Sequence, residues 1–338
     1  MKKLTAVLLS FVLAFSLVAC SNGEQTPADS GNVPDTGAST PATPAQPSED
    51  DTDEGFTVGL AIHNQTIEMT ITLYETLKAR VEELGGTLII ADANSDASTQ
   101  VRQVEDFVTQ QVDYIVVCPV DSKALGSALD TANAAGIPVI NLDSAVCDED
   151  LSKVVCVISS DNQGGGEAVG QWLVDRLEDN ATIGIMNYPQ LEAINIRTVA
   201  LMDVLENSGK NINMVYKDVT DMNAIVAMCE DMLMANPEMV GFFGITDDWS
   251  ITAYSVCKEF GIEEPLCIGF DGSPAGKQAI AAGQLSGTCV NSPKSLANAA
   301  AEVIEKLENN EEVEFNIATS MWVIDIDNVE EYGLEGWN

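Results

Sequence analysis

The chain has 338 residues, of which 15 are Lys or Arg and 53 are Asp or Glu, so its formal net charge at pH 7 is −38. A surface this acidic repels the phosphate backbone of nucleic acid, which excludes nucleic acid as a partner. The length is sufficient for two lobes that each bury a core of their own.

The first residues are typical of an export signal. Lys2 and Lys3 precede an apolar run that ends at Ala19 and is too short for a retained membrane span. We predict a signal peptide over residues 1–19. The run closes on Leu17-Val18-Ala19-Cys20, which resembles the lipobox of bacterial lipoproteins and implies cleavage before Cys20 and lipidation of its thiol. The alternative is a plain secreted protein in which this cysteine is accidental.

Residues 20–55 are dominated by Pro, Thr, Ser, Ala, Gly, Asp and Glu, with Val33 as the only large aliphatic residue before Gly55. Such a segment buries too little apolar surface to offset the entropy lost on ordering. We predict a disordered tether between the lipid and a soluble folded part, which places the protein outside the cytoplasm, anchored to the cell membrane.

From Phe56 onward, short apolar segments alternate with longer amphipathic ones. The first set predicts strands at residues 57–62, 87–90, 114–118 and 138–142, separated by helices at 67–84, 98–110 and 122–135. Strands that are hydrophobic on both faces are covered by helices on both sides, which is the pattern of a parallel, doubly wound α/β sheet.

A second set of similar size follows. It predicts strands at residues 182–186, 212–216, 239–245 and 266–270, separated by helices at 194–207, 224–235 and 250–260, with a closing helix at 296–307 and strand at 321–326. Two successive βα arrays predict two lobes of one architecture.

Eight cysteines are present, and Cys20 is consumed by the predicted lipidation. Six of the others lie inside apolar runs, where a free cysteine behaves as a small hydrophobic residue: Cys118, Cys156, Cys229, Cys257, Cys267 and Cys289. We expect these thiols to be buried and reduced. The chain contains no CxxC spacing, so neither a zinc site nor a redox motif is predicted.

Three aspartates directly follow predicted strands: Asp143, Asp247 and Asp271. In an open parallel sheet, ligands bind beyond the carboxyl ends of the strands, where helix N-termini and loops converge. Carboxylates at this edge can accept hydrogen bonds from the hydroxyl or amino groups of a ligand. Each aspartate alone could instead be a helix N-cap, and that alternative remains open for each of them.

Catalysis and resident metals are not predicted. His63 is the only histidine and no GxSxG segment is present, so a Ser-His-Asp relay has no support. His63 ends the first strand, where it faces either a ligand or a structural loop. Residues 92–96 begin like a calcium loop but lack its glycine and its bidentate Glu, so we predict a turn and a helix cap there. No cofactor is expected.

Four ordered landmarks are similar to bacterial solute-binding proteins of the ribose- and galactose-binding type, the receptors of ABC importers. They are residues 92–96, residues 136–143 (Gly-Ile-Pro-Val-Ile-Asn-Leu-Asp), Ser160-Asp161-Asn162 with Gly165 and Gly166, and residues 268–274 (Ile-Gly-Phe-Asp-Gly-Ser-Pro). The resemblance spans roughly residues 56–325. It implies a type I periplasmic binding protein-like fold, with two doubly wound parallel-sheet lobes joined by a three-strand hinge.

The same resemblance implies the lobe boundaries. Crossings near Ser160, Asn291 and Ser320 would give a first lobe of residues 56–160 plus 292–320 and a second lobe of residues 161–291 plus 321–338. A small ligand would bind in the cleft and favour the closed form by hinge motion.

The resemblance also implies a ligand site. Asp143 and Asp271 match acceptors of sugar hydroxyls, and Asn291 matches an amide at the hinge side of the cleft. We expect Asp271→Ala to abolish binding and leave the fold intact. The full set of candidate ligand-binding residues is His63, Asn64, Glu68, Met69, Cys118, Asp143, Ser144, Asn195, Arg197, Met222, Thr246, Asp247, Asp271 and Asn291.

Several of these positions depart from the ribose-type pattern. Ile67-Glu68-Met69-Thr70 stands where ribose receptors carry an aromatic platform, and Met222 replaces a further aromatic residue. Ser144 replaces an arginine, Thr246 replaces an asparagine, and Asn195 holds the ligand-touching position of an arginine pair that retains Arg197. The ligand is therefore expected to be a sugar other than ribose, a polyol or a small nitrogenous solute.

The predicted function is that of a monomeric, extracytoplasmic substrate-binding lipoprotein, which delivers its solute to the transmembrane subunits of an ABC permease. The alternative is a ligand sensor that presents its bound state to a membrane chemoreceptor or sensor kinase. An extracytoplasmic enzyme and a sugar-responsive repressor are disfavoured, the repressor because of the export signal, the acidity and the lack of an N-terminal recognition helix.

Overall fold

The computed structural model describes residues 55–219 and 224–338. The predicted signal peptide, Cys20, all but the last residue of the tether, and Met222 lie outside the described residues.

The first half of the described chain alternates strands with helices. It contains β1 (Thr57–Ile62), α1 (Glu68–Glu83), β2 (Thr87–Asp92), α2 (Ala97–Gln110), β3 (Tyr114–Val117), α3 (Gly126–Ala134), β4 (Val139–Leu142), a 3₁₀ helix (Asp148–Lys153), β5 (Cys156–Ser160) and α4 (Asn162–Arg176).

The second half repeats the alternation. It contains β6 (Thr182–Asn187), α5 (Glu192–Glu206), β7 (Asn213–Asp218), α6 (Ile225–Ala235), β8 (Met239–Phe243), α7 (Asp247–Glu259), β9 (Ile268–Asp271), α8 (Pro274–Ala281), β10 (Gly287–Val290), α9 (Pro293–Glu308), β11 (Asn316–Thr319), β12 (Trp322–Asp325) and α10 (Val329–Tyr332).

The first sheet has the strand order β11-β5-β4-β3-β1-β2, and all of its pairings are parallel. Apolar side chains of α1 and α9, including Leu73, Leu77 and Ile304, pack with the sheet in one core. Phe107 of α2 and Leu129 of α3 belong to a second core. Both faces are therefore covered, which explains why β3 and β4 are buried along their whole length.

The second sheet has the order β12-β10-β9-β8-β6-β7. Four of its pairings are parallel, and β12 joins the edge antiparallel to β10. One core combines α6, α7 and α8 with the sheet, and another contains Leu173 of α4 and Leu201 of α5. The predicted two-lobed α/β fold is confirmed, and the antiparallel edge strand is the departure from the purely parallel expectation.

The chain passes between the two sheets three times. It leaves the first sheet after Ser160, returns after Val290 into α9, which packs on α1, and leaves again between β11 and β12. At these passages the Asp161 amide donates to the Thr319 carbonyl at 2.9 Å, and the Ser160 hydroxyl donates to the Asn291 side chain at 2.5 Å. Hydrogen bonds thus tie the connections to one another.

Seven cysteines of the described part are free thiols, and six of them, those inside the predicted apolar runs, are buried. Within the described ranges, no helix is both long enough and apolar enough to cross a lipid bilayer. The same residues contain no group of three or more His, Cys, Asp or Glu side chains that could hold a metal ion.

Candidate functional site

The carboxyl end of β1 is held by the loop between β2 and α2. The Ser95 amide donates to the His63 carbonyl at 2.8 Å, and the Asn64 side-chain amide donates to the Ser95 hydroxyl at 3.0 Å. The His63 ring lies 3.3 Å from the hydroxyl of the buried Thr70 in the first turn of α1. The imidazole is therefore half-buried and fixed at the edge where β1 ends.

The Asp143 turn follows β4. Asp143 has a φ of +71°, a conformation that costs free energy in a residue with a Cβ. The buried Asn141 side chain holds this turn, since its amide donates to the Ser144 carbonyl at 2.8 Å and its oxygen accepts the Val146 amide at 2.9 Å. The Asp143 amide itself donates to the Ile158 carbonyl at 2.8 Å.

The Asp271 turn follows β9 in the second sheet. Asp271 has a φ of +124° and the next residue, Gly272, has a φ of +69°. Ser273 is the N-cap of α8 and Thr246 is the N-cap of α7, each accepting an amide three residues later. The N-cap alternative is therefore wrong for Asp271 and Asp247. Strained residues persist where the surrounding structure holds them, and they cluster at functional sites.

Arg197 of α5 is buried, with 8% of its surface exposed. Its Nε donates to the Asn162 side-chain oxygen at 2.7 Å, and its guanidinium lies over the Phe270 ring with 4.7 Å between the guanidinium carbon and the ring centroid. Among the described residues, no hydrogen-bond acceptor or ion-pair partner engages the two terminal guanidinium nitrogens. These donors are free for a ligand.

The charge of Arg197 acts on Asp143 of the first sheet and on Asp271 of the second. Burial raises the pKa of the Asp143 carboxyl, while His63 and Arg197 oppose the shift. Burial and the nearby Asp247 raise the pKa of Asp271 to about 8, again opposed by Arg197. Desolvation by burial is the largest cause of the pKa shift for both carboxyls.

Other predicted residues of the second sheet lie beside this group. Asn195 accepts a hydrogen bond at 3.2 Å from the buried Asn187, which also donates to Tyr216 and Asp218. The Asn291 amide donates to the Asp271 carbonyl at 3.1 Å. Thr246 is half-buried as the cap of α7.

Two predicted residues are buried below the edge. Asp247 is 1% exposed, and its Oδ2 accepts the Ser273 amide and hydroxyl at 2.8 and 2.6 Å. Cys118 is 1% exposed, and the Gln100 side chain donates to its carbonyl at 2.7 Å. These positions favour a supporting role over direct contact with a ligand. Glu68 and Ser144 are exposed and Met69 is half-buried, so they remain candidates at the rim.

Sequence reasoning missed the polar residues that support the site: Gln100, Asn141, Asn162 and Asn187. Asn141 and Asn187 are uncharged polar side chains inside otherwise apolar strands, which is a usable signal because a buried amide requires partners. The side-chain oxygen of Asn187 is buried and accepts no hydrogen bond from the residues that the structure describes. The predicted helix cap at Asp96 is confirmed, since its side chain accepts the Thr99 amide at 2.6 Å.

A groove of about 500 Å³ lies elsewhere, at the amino ends of β9 and β10, and is lined by Trp172, Tyr254 and Leu266 among others. Two of its three charged lining side chains satisfy each other, because Arg176 pairs with Asp325 at 2.7 Å. Arg176 and Asp325 therefore offer little to a polar ligand, and the opposite edge, with its free guanidinium donors, is the candidate site.

The raised pKa of Asp271 has a consequence for stability. Its folded pKa of about 8 lies above the ordinary value of 3.8, so the folded state binds a proton more tightly than the unfolded state. This carboxyl therefore lowers stability progressively as pH rises from about 4 to about 8. Asp271→Asn removes the ionisation and should raise the Tm of the ligand-free protein above pH 8 by roughly 3 °C or more.

Thermal melts of both proteins from pH 4 to pH 9 test this prediction. The difference in Tm should be close to zero at the acidic end, where both side chains are neutral, and should grow towards pH 8. A difference that is constant across the range would show that burial does not penalise the Asp271 carboxylate.

Residues 58–312 match the family described as the periplasmic binding protein domain. The ribose import binding protein of Bacillus subtilis is 26% identical over 322 residues, covering 95% of this chain and 98% of that protein. The xylitol-binding protein of Mycolicibacterium smegmatis is 28% identical over 246 residues, covering 72% of this chain and 70% of that protein.

Among solved structures, an ABC transporter solute binding protein from Mycobacterium smegmatis with bound glycerol superimposes with a TM-score of 0.70 and 26% identity. The match covers 84% of this chain and 99% of that one.

Proposed function

Because the chain belongs to the periplasmic binding protein domain family, we propose that it captures a sugar, a polyol or a related small solute between its two lobes. The curated relatives described above are binding proteins, so the chain is a binding protein and not an enzyme. Its fold and its family place it among the extracytoplasmic binding proteins.

One observation supports the proposal above all others. Two aspartates in strained turns, Asp143 at the end of β4 and Asp271 at the end of β9, come from different sheets, and the charge of one buried Arg197 acts on both. Carboxylates accept hydrogen bonds from hydroxyls, and a guanidinium donates to hydroxyl oxygens. A solute with several neighbouring hydroxyls provides both kinds of partner.

The relatives support this class of ligand. They include proteins named for ribose import and for xylitol binding, and a structure with bound glycerol. All three compounds carry hydroxyls on adjacent carbons. The half-buried Met69 and the absence of an aromatic residue at 67–70 favour an adaptable apolar wall over a stacking platform, which suits a polyol or a sugar other than ribose.

Closure follows from the three connections between the sheets. We place the lobe boundaries at residues 56–160 plus 292–320 and at residues 161–291 plus 321–338, so that the hydrogen-bonded passages act as the hinge. A ligand that bridges Asp143 and Asp271 binds the closed form more tightly and shifts the population towards it. The closed complex, acting as a monomer, would then present its solute to an ABC permease.

A thermal-shift screen of pentoses, hexoses, polyols, nucleosides and amines tests the proposal with the full chain. A solute present at 100 times its Kd stabilises the native state by about 2.7 kcal/mol, which raises the Tm by roughly 5–10 °C. We expect the largest shift from a neutral polyhydroxyl compound. A screen in which no sugar or polyol raises the Tm, or in which an anionic solute gives the largest shift, would contradict the proposal.

The lipid anchor is proposed from the N-terminal sequence, in which an apolar run ends on Leu-Val-Ala-Cys20. Cys20→Ala removes the thiol that would carry the lipid. The variant should move from the membrane fraction to the soluble extracytoplasmic fraction when it is expressed in a bacterial host, whereas Cys147→Ala should stay in the membrane fraction. Equal membrane association of the Cys20→Ala variant would exclude the anchor.

A further inference from the structure

The strained Asp271 turn is held from below by a second carboxylate. Asp247, the first residue of α7, is 1% exposed, and its Oδ2 accepts both the amide and the hydroxyl of Ser273 at 2.8 and 2.6 Å. Ser273 is two residues beyond Asp271, so these two bonds fix the far side of the turn. The other oxygen, Oδ1, is buried without a hydrogen-bond partner among the described residues.

Two glycines, which lack a Cβ, lie next to the Asp247 carboxylate. A Cβ added to Gly276 would lie 2.2 Å from its Oδ2, and one added to Gly269 would lie 3.0 Å from its Oδ1. A side chain at Gly276 of α8 would collide with the carboxylate, and one at Gly269 of β9 would crowd it together with the Ser250 hydroxyl. The carboxylate is therefore an integral part of the turn's support.

Further bonds complete the clamp. The Gly272 amide donates to the Thr288 hydroxyl at 3.0 Å, and the Asn291 amide donates to the Asp271 carbonyl at 3.1 Å. Asp271 and Gly272 are thus held by β10 and the residue that follows it, and Ser273 is held by α7. An aspartate at a φ of +124° requires such support, because this conformation is unfavourable by itself.

We propose that Asp247 is a positioning residue, which holds the Asp271 turn in its ligand-binding shape and sets the pH range in which Asp271 accepts hydrogen bonds from the ligand. The inference rests on the proposed function of the cleft. It gives Asp247 a role other than direct contact with the ligand.

The first lobe shows that support of the turn requires no charge. There Asn141 holds the Asp143 turn with an uncharged amide, through bonds of 2.8 and 2.9 Å to Ser144 and Val146. In the second lobe the support comes instead from the neighbouring helix α7, and its Asp247 carboxylate therefore adds an electrostatic effect to the geometric one. Asp247 and Asp271 repel each other when both are ionised.

The charged and titratable groups that act on Asp271 come from three elements. Asp247 and Asp248 of α7 raise its pKa, and Arg197 of α5 lowers it. Cys289 of β10 also lies close enough for the two groups to affect each other's titration. Because a ligand hydroxyl donates to the ionised form of Asp271, affinity should fall as pH drops below the pKa of this carboxyl, about 8.

Two substitutions separate the geometric effect from the electrostatic one. Asp247→Asn keeps an oxygen that can accept from Ser273 but removes the charge, and Asp247→Ala removes both. Asp248→Asn, an exposed carboxylate one residue further along α7, is the matched control. Circular dichroism establishes that each variant is folded.

The first readout is the pKa of Asp271 in the ligand-free full chain, measured by carbon NMR of the carboxyl group. Asp247→Asn should lower this pKa by at least about one unit, with a smaller change for Asp248→Asn. A pKa that does not move in Asp247→Asn would overturn the electrostatic half of the proposal, whether or not a solute has been identified.

The second readout is the affinity for the solute that gives the largest thermal shift, measured by calorimetry from pH 5 to pH 9. Asp247→Asn should keep affinity within about 3-fold at pH 9 and move the midpoint of its decline to lower pH. Asp247→Ala should lose at least about 10-fold at pH 9, where Asp271 is ionised and only the geometry differs. A folded Asp247→Ala variant with wild-type affinity at pH 9 would overturn the positioning role.

The two failures can be told apart. If no solute binds the wild-type protein, the proposed function fails, and the NMR titration still decides the electrostatic effect. If Asp247→Ala does not fold, the Asp247→Asn variant decides the proposal through the shift of its pH profile, since a purely structural role would leave that midpoint unchanged.

Discussion

Asp271→Asn is expected to weaken solute binding by at least about 30-fold while the protein stays folded. Loss of one buried, charge-assisted partner typically costs 2–5 kcal/mol of binding free energy, which corresponds to roughly 30-fold to several thousand-fold in Kd. Asparagine matches the shape of aspartate and tolerates positive φ, so the turn at φ +124° should persist. Calorimetric titration with the solute selected by the screen measures the effect.

The same experiment has an internal control. Asp248→Asn changes an exposed carboxylate of the same lobe and should leave the affinity within about 2-fold. Asp271→Asn should also abolish the pH dependence of binding that originates from this carboxyl. Wild-type affinity in a folded Asp271→Asn variant would exclude Asp271 as a ligand acceptor.

Arg197→Lys is expected to reduce affinity by about 10–100-fold. The guanidinium donates through Nε to Asn162, stacks on Phe270 and still presents two terminal nitrogens without acceptors among the described residues. A lysine ammonium cannot reproduce this planar fork, because its three donors radiate from a single nitrogen. The remaining positive charge should keep the two aspartates partly compensated, so the protein should still fold.

Arg176→Lys is a close match as a control for this substitution. Arg176 lies in the same lobe, with 4.1 Å between its guanidinium carbon and the Trp172 ring, and donates to Asp325. Like Arg197, Arg176 lies over an aromatic ring and donates to a side-chain oxygen, here that of Asp325. It lies at the opposite edge of the sheet, away from the candidate site. Equal losses of affinity for the two variants would indicate a general effect on the lobe and would contradict a direct role for Arg197.

The alternation of strands and helices was predictable because each element has its own pattern of apolar residues over a short stretch of sequence. Apolar runs such as residues 139–142 are buried on both faces in the structure, and that burial requires helices on both sides of the sheet. The edge pairing of β11 with β5 was not predictable, since Asn316–Thr319 joins a strand more than 150 residues earlier and is itself half exposed. Its sequence carries little of the pattern that marks a buried strand.

The candidate site was predictable in part for a related reason. Parallel strands bring their carboxyl ends to one edge, so Asp143 and Asp271 could be placed there from the order of elements alone. The strained turn at Asp271 and the role of Asp247 depend on hydrogen bonds between residues distant in sequence, such as those of Gly272 with Thr288 and of Ser273 with Asp247. Such contacts have no signature in a single sequence, and the difference between a ligand acceptor and its support becomes visible only in three dimensions.

The crystal structure of the protein with the solute selected by thermal shift tests the central claim most directly. We predict that the solute lies between the two sheets, with hydroxyl oxygens about 2.5–3.2 Å from the carboxylates of Asp143 and Asp271 and from the terminal nitrogens of Arg197. A solute bound in the groove beside Trp172 and Asp325, or one in contact with a single lobe only, would contradict the account.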